Sequence, residues 1–229
     1  MRVHSRTQVR SWMLLRVVAI FALSGLAASQ VHALPVAAGG RIGLNLSRLA
    51  FENLPAGVES GFRAGFVAAG QVALPVLPLL AIETGLEVAT AGTEFNGTVQ
   101  FASTTLEDGR IKLAYLHIPV LAKLSTPVGS TRPYVKFGPQ LGFLLDAKAE
   151  AESSSFSGGT VEMDVGDSTA GVDFALQFAA GLEFPVATVR GFVEVGYAHG
   201  LVHVFDSPDL PDSWNARNQV LGITLGMSY

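Results

Sequence analysis

The chain has 229 residues, with 15 Lys and Arg against 19 Asp and Glu and a net charge of −4. It holds no cysteine, which excludes disulfides and thiolate chemistry, and its acidic balance argues against a nucleic-acid partner, whose phosphates require a basic face. Apolar residues make up 49% of the chain and charged residues 15%, against about 25% charged in an average soluble protein.

At the N-terminus Arg2, Arg6, Arg10 and Arg16 precede an apolar run from Val17 to Ala28, and Val31-His32-Ala33 places small residues where a signal peptidase reads. Residues 1–33 are therefore expected to be a cleaved export signal and residues 34–229 the mature domain. The run falls short of the about 20 residues that a transmembrane helix needs, so an uncleaved anchor is the weaker alternative. Removal of the four arginines with no acid leaves a mature charge of −8.

After the signal, apolar residues recur at every second position. In "RIGLNLS" Ile42, Leu44 and Leu46 share one side, with Gly43, Asn45 and Ser47 on the other. In "DFALQFAAGLEF" Phe174, Leu176, Phe178, Ala180 and Leu182 oppose Asp173, Ala175, Gln177, Ala179, Gly181 and Glu183. Pro-Val recurs at Pro35, Pro75, Pro127 and Pro185, each a few residues before a strand, where a proline costs no ladder hydrogen bond. The intervals of 40, 52 and 58 residues accommodate two strands each. Eight strands are predicted near residues 40–50, 60–74, 78–93, 110–125, 132–145, 172–184, 190–203 and 218–229. Connections at the Pro-Val marks are short. Those at the other end are long and polar, such as "DAKAEAESSSFSGGTVEMDVGDSTAG", the asymmetry of an outer-membrane barrel with its long loops outside the cell.

Eight strands with one apolar face fit either a secreted barrel with that face inward or a membrane barrel with it outward. The minority face decides between them. Arg63, Glu83, Glu87, His117, Lys123, Lys136, Gln140, Gln177, Glu183 and Glu194 alternate with apolar neighbours, and Gly65, Gly85, Gly138, Gly142, Gly181 and Gly196 fill other places. This is too little charge for a solvent face but suits a narrow lumen in which acids and bases pair. The reading is an all-β, eight-stranded antiparallel up-and-down transmembrane β-barrel in the bacterial outer membrane, with lipid against Leu221, Ile223 and Leu225. The last strand, alternating and closing on Tyr229, resembles the C-terminal signal read by the outer-membrane assembly machinery, and Tyr229 also suits an interfacial aromatic belt.

The segment "LAYLHIPVLAKLS" (Leu113 to Ser125) followed by "RPYVKFGPQLGFLL" (Arg132 to Leu145) resembles the PorT-like outer-membrane protein β-barrel domain family. Tyr115, Leu116, Ile118, Pro119 and Lys123 match that family's middle strand, while His117 stands where the family usually has Glu. The resemblance implies an eight-stranded barrel and no common enzymatic mechanism. The departure at His117 bears on any interior ion pair with Lys123 or Lys136 that would rest on the Glu.

Catalytic motifs are sparse. His199 and His203, close in sequence to Asp206 and Ser207, suggest a rim-sited lipid hydrolase, but on one strand face they stand about 13 Å apart. Asp206, Asp209 and Asp212, or Asp164 and Asp167, lack calcium-loop spacing and read as solvated loop acids. No catalytic, cofactor-binding or metal residue is assigned and no enzyme activity is expected. The expectation is a monomeric small barrel with a polar, side-chain-filled lumen and long extracellular loops, serving a structural or binding role at the envelope among outer-membrane lipid. A narrow pore for small solutes and the rim hydrolase are the alternatives.

Overall fold

A computed structural model describes residues 36–51, 59–101, 104–153, 160–205 and 215–229. The expected export signal, and Asp206, Ser207, Asp209 and Asp212, lie outside the described residues. The strands are β1 (Ala37–Phe51), β2 (Glu59–Gly61), β3 (Arg63–Leu77), β4 (Leu80–Phe101), β5 (Thr104–Ser125), β6 (Arg132–Ser153), β7 (Thr160–Asp164), β8 (Val172–Val186), β9 (Val189–Gly200) and β10 (Ala216–Ser228). Eight of these, all but the short β2 and β7, pair antiparallel with their neighbours in chain order, and β1 closes the cylinder against β10.

The alternation decides which way each strand faces. Ile42 and Leu44 are 69% and 73% exposed, and Ile223 and Leu225 are 58% and 60% exposed, while Lys136 and Glu194 between such rows are 2% and 3% exposed. On β8, Asp173, Ala175, Gln177, Ala179 and Glu183 are buried and Phe174, Leu176, Phe178 and Leu182 are exposed. An outer surface this apolar is tolerable in hydrocarbon and not in water. The charge and the small residues therefore occupy the interior, as the minority face requires.

Three strands run further than their apolar pattern. β4, β5 and β6 each span 22 residues, so the stretches expected as loops after residues 93 and 145 and before residue 110 continue the ladders. The β4–β5 pairing extends to Phe101↔Thr104, and β7 adds to β6 through pairs from Lys148↔Asp164 to Glu152↔Thr160. At the other end the turns are tight, with Val186↔Val189 the last pair of the β8–β9 hairpin.

The lipid face yields a depth-dependent expectation. Leu44→Arg, in the middle of β1, should destabilise the folded barrel by about 2–4 kcal/mol, whereas Val36→Arg at the strand end should cost about 0–1 kcal/mol. Urea unfolding of protein refolded into phosphatidylcholine vesicles measures both, and equal costs would contradict the outward placement of this row.

Candidate functional site in the barrel interior

Cations on β1, β5 and β6 meet acids on β4, β8 and β9 near the end with the short turns. Arg41 places Nη2 2.5 Å from Glu87 Oε2 and Nη1 3.4 Å from Glu194 Oε1 and 3.7 Å from Glu83 Oε1. Lys136 Nζ lies 2.7 Å from Glu83 Oε1 and 2.5 Å from Glu194 Oε2. Lys123 Nζ lies 2.5 Å from Glu183 Oε1 and 4.4 Å from the centre of the Tyr134 ring, and the Tyr134 hydroxyl donates to Glu194 Oε2 at 2.8 Å. Each of these charges is buried or nearly so. Such desolvation is tolerable because every ion in the group has an opposite partner.

Further along the axis the lining becomes amide and hydroxyl. Gln140 Nε2 donates to Glu87 Oε1 at 3.3 Å, and His117 Nδ1 faces the same oxygen at 3.4 Å while its ring stacks on Tyr115. Asn218 Nδ2 donates to Asp173 Oδ2 at 2.9 Å, and Asn45 Nδ2 donates to the Thr90 carbonyl at 2.9 Å. These side chains line a chamber between the ion cluster and the end of the barrel with the long hairpins.

At that far end the interior turns apolar. Leu49, Phe95, Ile111, Leu113, Val204 and Phe205 form a buried cluster with Tyr115 at its floor. Residues 201–205 leave β9 to reach this cluster, fixed by Ala170 N–H donating to the Val204 carbonyl at 2.7 Å and Val204 N–H donating to Ala216 O at 2.8 Å. Outside the barrel wall, Lys112 bonds Glu150, Arg110 Nε stands 3.7 Å from Glu150, and Lys148 Nζ lies 2.5 Å from Glu162. The Lys112 hydrogen bond is the main reason that the Glu150 carboxyl is held below the usual carboxylate range.

Most of the minority-face residues converge as expected: Glu83, Glu87, His117, Lys123, Lys136, Gln140, Glu183 and Glu194 form one connected network. Arg63 stays apart, donating to the Ala91 carbonyl at 2.9 Å. The paired-histidine reading requires correction. β9 ends at Gly200, so His203 is not on the strand; His199 faces the outer wall beside the Tyr197 hydroxyl at 3.3 Å, while His203 Nε2 lies 3.2 Å from Arg217. Asp164 Oδ1 accepts the Gly166 N–H at 2.9 Å, and among the described residues no three acids or histidines are grouped to hold a metal ion. The minority-face reading omits Arg41, Tyr134 and Asn218. Parity alone reaches Arg41, two residues before Gly43 on the inward side of β1.

Removing one ion from this network strands the others. Lys136→Met should cost about 3–5 kcal/mol because Glu83 and Glu194 lose their nearest cation, and neutralising both acids in the same chain should recover most of that loss. Equilibrium urea unfolding of the single and triple variants checks both parts.

A search of curated proteins finds no match. Among solved structures the chain is similar to Ail, the attachment invasion locus protein of Yersinia pestis, solved in complex with the heparin analogue sucrose octasulfate: 15% identity, 85% of this chain and 99% of that chain covered, TM-score 0.37. Neisserial surface protein A is 11% identical over 84% of this chain and 99% of its own, and OprG of Pseudomonas aeruginosa 12% identical over 85% and 94%, each with a TM-score of 0.41. A family model described as an outer membrane protein beta-barrel domain matches residues 28–206. The chain, a closed antiparallel barrel of eight principal strands with an apolar outer wall, belongs to the outer membrane protein β-barrel domain family and resides in the bacterial outer membrane.

Proposed function

We propose that this protein is a non-conducting outer-membrane barrel whose work is structural or binding, carried by the hairpins that extend beyond the membrane. The observation behind this reading is a lumen obstructed twice, by the Arg41–Glu83–Lys136–Glu194 cluster at one end and by the Leu49–Phe95–Val204–Phe205 cluster at the other. The long hairpins then face the exterior, in keeping with the usual asymmetry of such barrels. The ladders of β4, β5 and β6 hold these hairpins out as paired strands, which suits presentation of a fixed surface to a partner.

In this reading the barrel is a monomer among outer-membrane lipid, of the PorT-like type suggested by Tyr115, Leu116, Ile118, Pro119 and Lys123, and its last strand addresses it to the assembly machinery. No catalytic role is assigned to His199 or His203. The chamber between the two obstructions is the feature that favours the second reading, a narrow pore for small solutes.

Planar-bilayer recording separates the two. Purified protein should give no discrete conductance steps at moderate voltage, and Glu83→Ala with Lys136→Ala should give none while the apolar cluster stands. Steady unitary currents from the unaltered protein would overturn the proposal in favour of the pore.

A further inference from the structure

Five carboxylates are buried among the described residues: Glu83, Glu87, Asp173, Glu183 and Glu194. Four are neutralised by Arg41, Lys123 or Lys136. Asp173 is not: its Oδ2 accepts from Asn218 Nδ2, and its Oδ1 has no hydrogen-bond partner. Asn218 Oδ1 is likewise without one. The direction of this amide follows from chemistry, because an ionised carboxylate only accepts and Nδ2 must point at it. Both side chains are more than nine-tenths buried, both line the chamber, and their mutual bond holds the two orphan oxygens on one wall.

Apart from the Arg41 Nε–H, which belongs to the ion cluster at the other end of the chamber, the remaining orphan atoms of the chamber repeat this chemistry. Asn45 Oδ1 and Gln177 Oε1 are acceptors without partners, and Thr224 Oγ1 adds a hydroxyl. Asn45 Nδ2 is committed to the Phe66 and Thr90 carbonyls, which leaves its oxygen free for another donor or a cation. Two of the three glycines lining the chamber leave room beside it: a Cβ at Gly196 or Gly222 would come no closer than 3.6 Å and 3.5 Å to any neighbour, whereas Gly200 packs on the Asn218 backbone. The titratable group facing Asp173 from β5 is His117, whose ring edge approaches across Gly142 but whose Nδ1 is turned to Glu87.

From the uncompensated carboxylate and the acceptor-lined wall we infer that the chamber binds a small monovalent cation, seated against Asp173 Oδ1 and Asn218 Oδ1. One carboxylate with neutral amide and hydroxyl oxygens supplies a single unit of negative charge, which suits an alkali-metal or ammonium ion. A divalent cation favours hard oxygen ligands with more than one carboxylate. The inference stands apart from the question of conductance, since a bound ion and a blocked lumen are compatible.

The test uses the whole mature barrel, refolded in detergent in chlorides of sodium, potassium, ammonium or the bulky tetraethylammonium at equal ionic strength. One of the three small cations should raise Tm over tetraethylammonium by about 3–6 °C at ten times its Kd. Asp173→Asn should abolish that dependence while raising Tm in tetraethylammonium. Crystals grown in rubidium chloride should show an anomalous peak beside Asp173 Oδ1, a readout that does not need the variant to fold. A Tm indifferent to the small cations, a dependence that survives in Asp173→Asn, or water alone beside Asp173 in the rubidium crystals would each overturn the inference.

Discussion

Closure of the sheet is the constraint on which everything else in this molecule depends. Hydrocarbon offers no hydrogen-bond partner, so each backbone N–H and C=O in the membrane must find one within the sheet, and an open edge would leave a row of them bare. Thirteen residue pairs, from Gly39↔Ser228 to Phe51↔Ala216, join β1 to β10 and remove that edge. Reciprocal bonds between Ala38 and Tyr229 carry the seam one step past the ladder. Once the cylinder is closed, strand alternation has a single consequence: one row meets lipid and the other meets the lumen.

The lumen of eight strands is narrow, and this dictates its composition. A large ring can lie along the lumen wall only where its partner on the neighbouring strand has no side chain. Tyr134, which donates to Glu194, lies against Gly181, where a Cβ would come within 2.4 Å of the ring. Phe192 lies against Gly226 in the same way, with 2.2 Å to Cζ. Alanine at Gly181 would push Tyr134 aside and loosen its bond to Glu194, so the small residues of one strand and the polar network of another are a single packing solution.

What could be read from the sequence follows the reach of this alternation. Inside the membrane one face is apolar and the other is not, and the direction of β1, β8 and β10 is legible residue by residue. Past residues 93 and 145 the outer row turns polar, with Glu94, Lys148 and Glu150, so the apolar contrast disappears and the 22-residue lengths of β4, β5 and β6 are lost to sight. The end of β9 is misjudged for a related reason: "LVHVF" keeps an apolar alternation past Gly200, but its apolar residues Val204 and Phe205 fold inward to cap the lumen. A slip between Ala114 and Tyr115 against β6 likewise shifts parity near Leu144, and no turn residue announces it. Partner identities inside the lumen are harder still, since parity says that Arg41 points inward but not that Glu87, on a strand two places away in the sheet, receives it.

These interior pairs perform a task that the ladder cannot. Backbone bonds join neighbouring strands only, whereas Arg41 on β1 reaches Glu87 on β4 and Lys136 on β6 reaches Glu83 on β4 and Glu194 on β9. The cross-lumen contacts tie together walls that share no hydrogen bond, and a one-residue slip of any participating strand would turn its ion toward lipid. His117 fits this logic. A glutamate there would set a second carboxylate against Glu87, and two acids at that spacing do not both ionise readily. Histidine removes that conflict and leaves the lysines to draw their acids from β4, β8 and β9, so the charge network spans the barrel's cross-section instead of running along one hairpin.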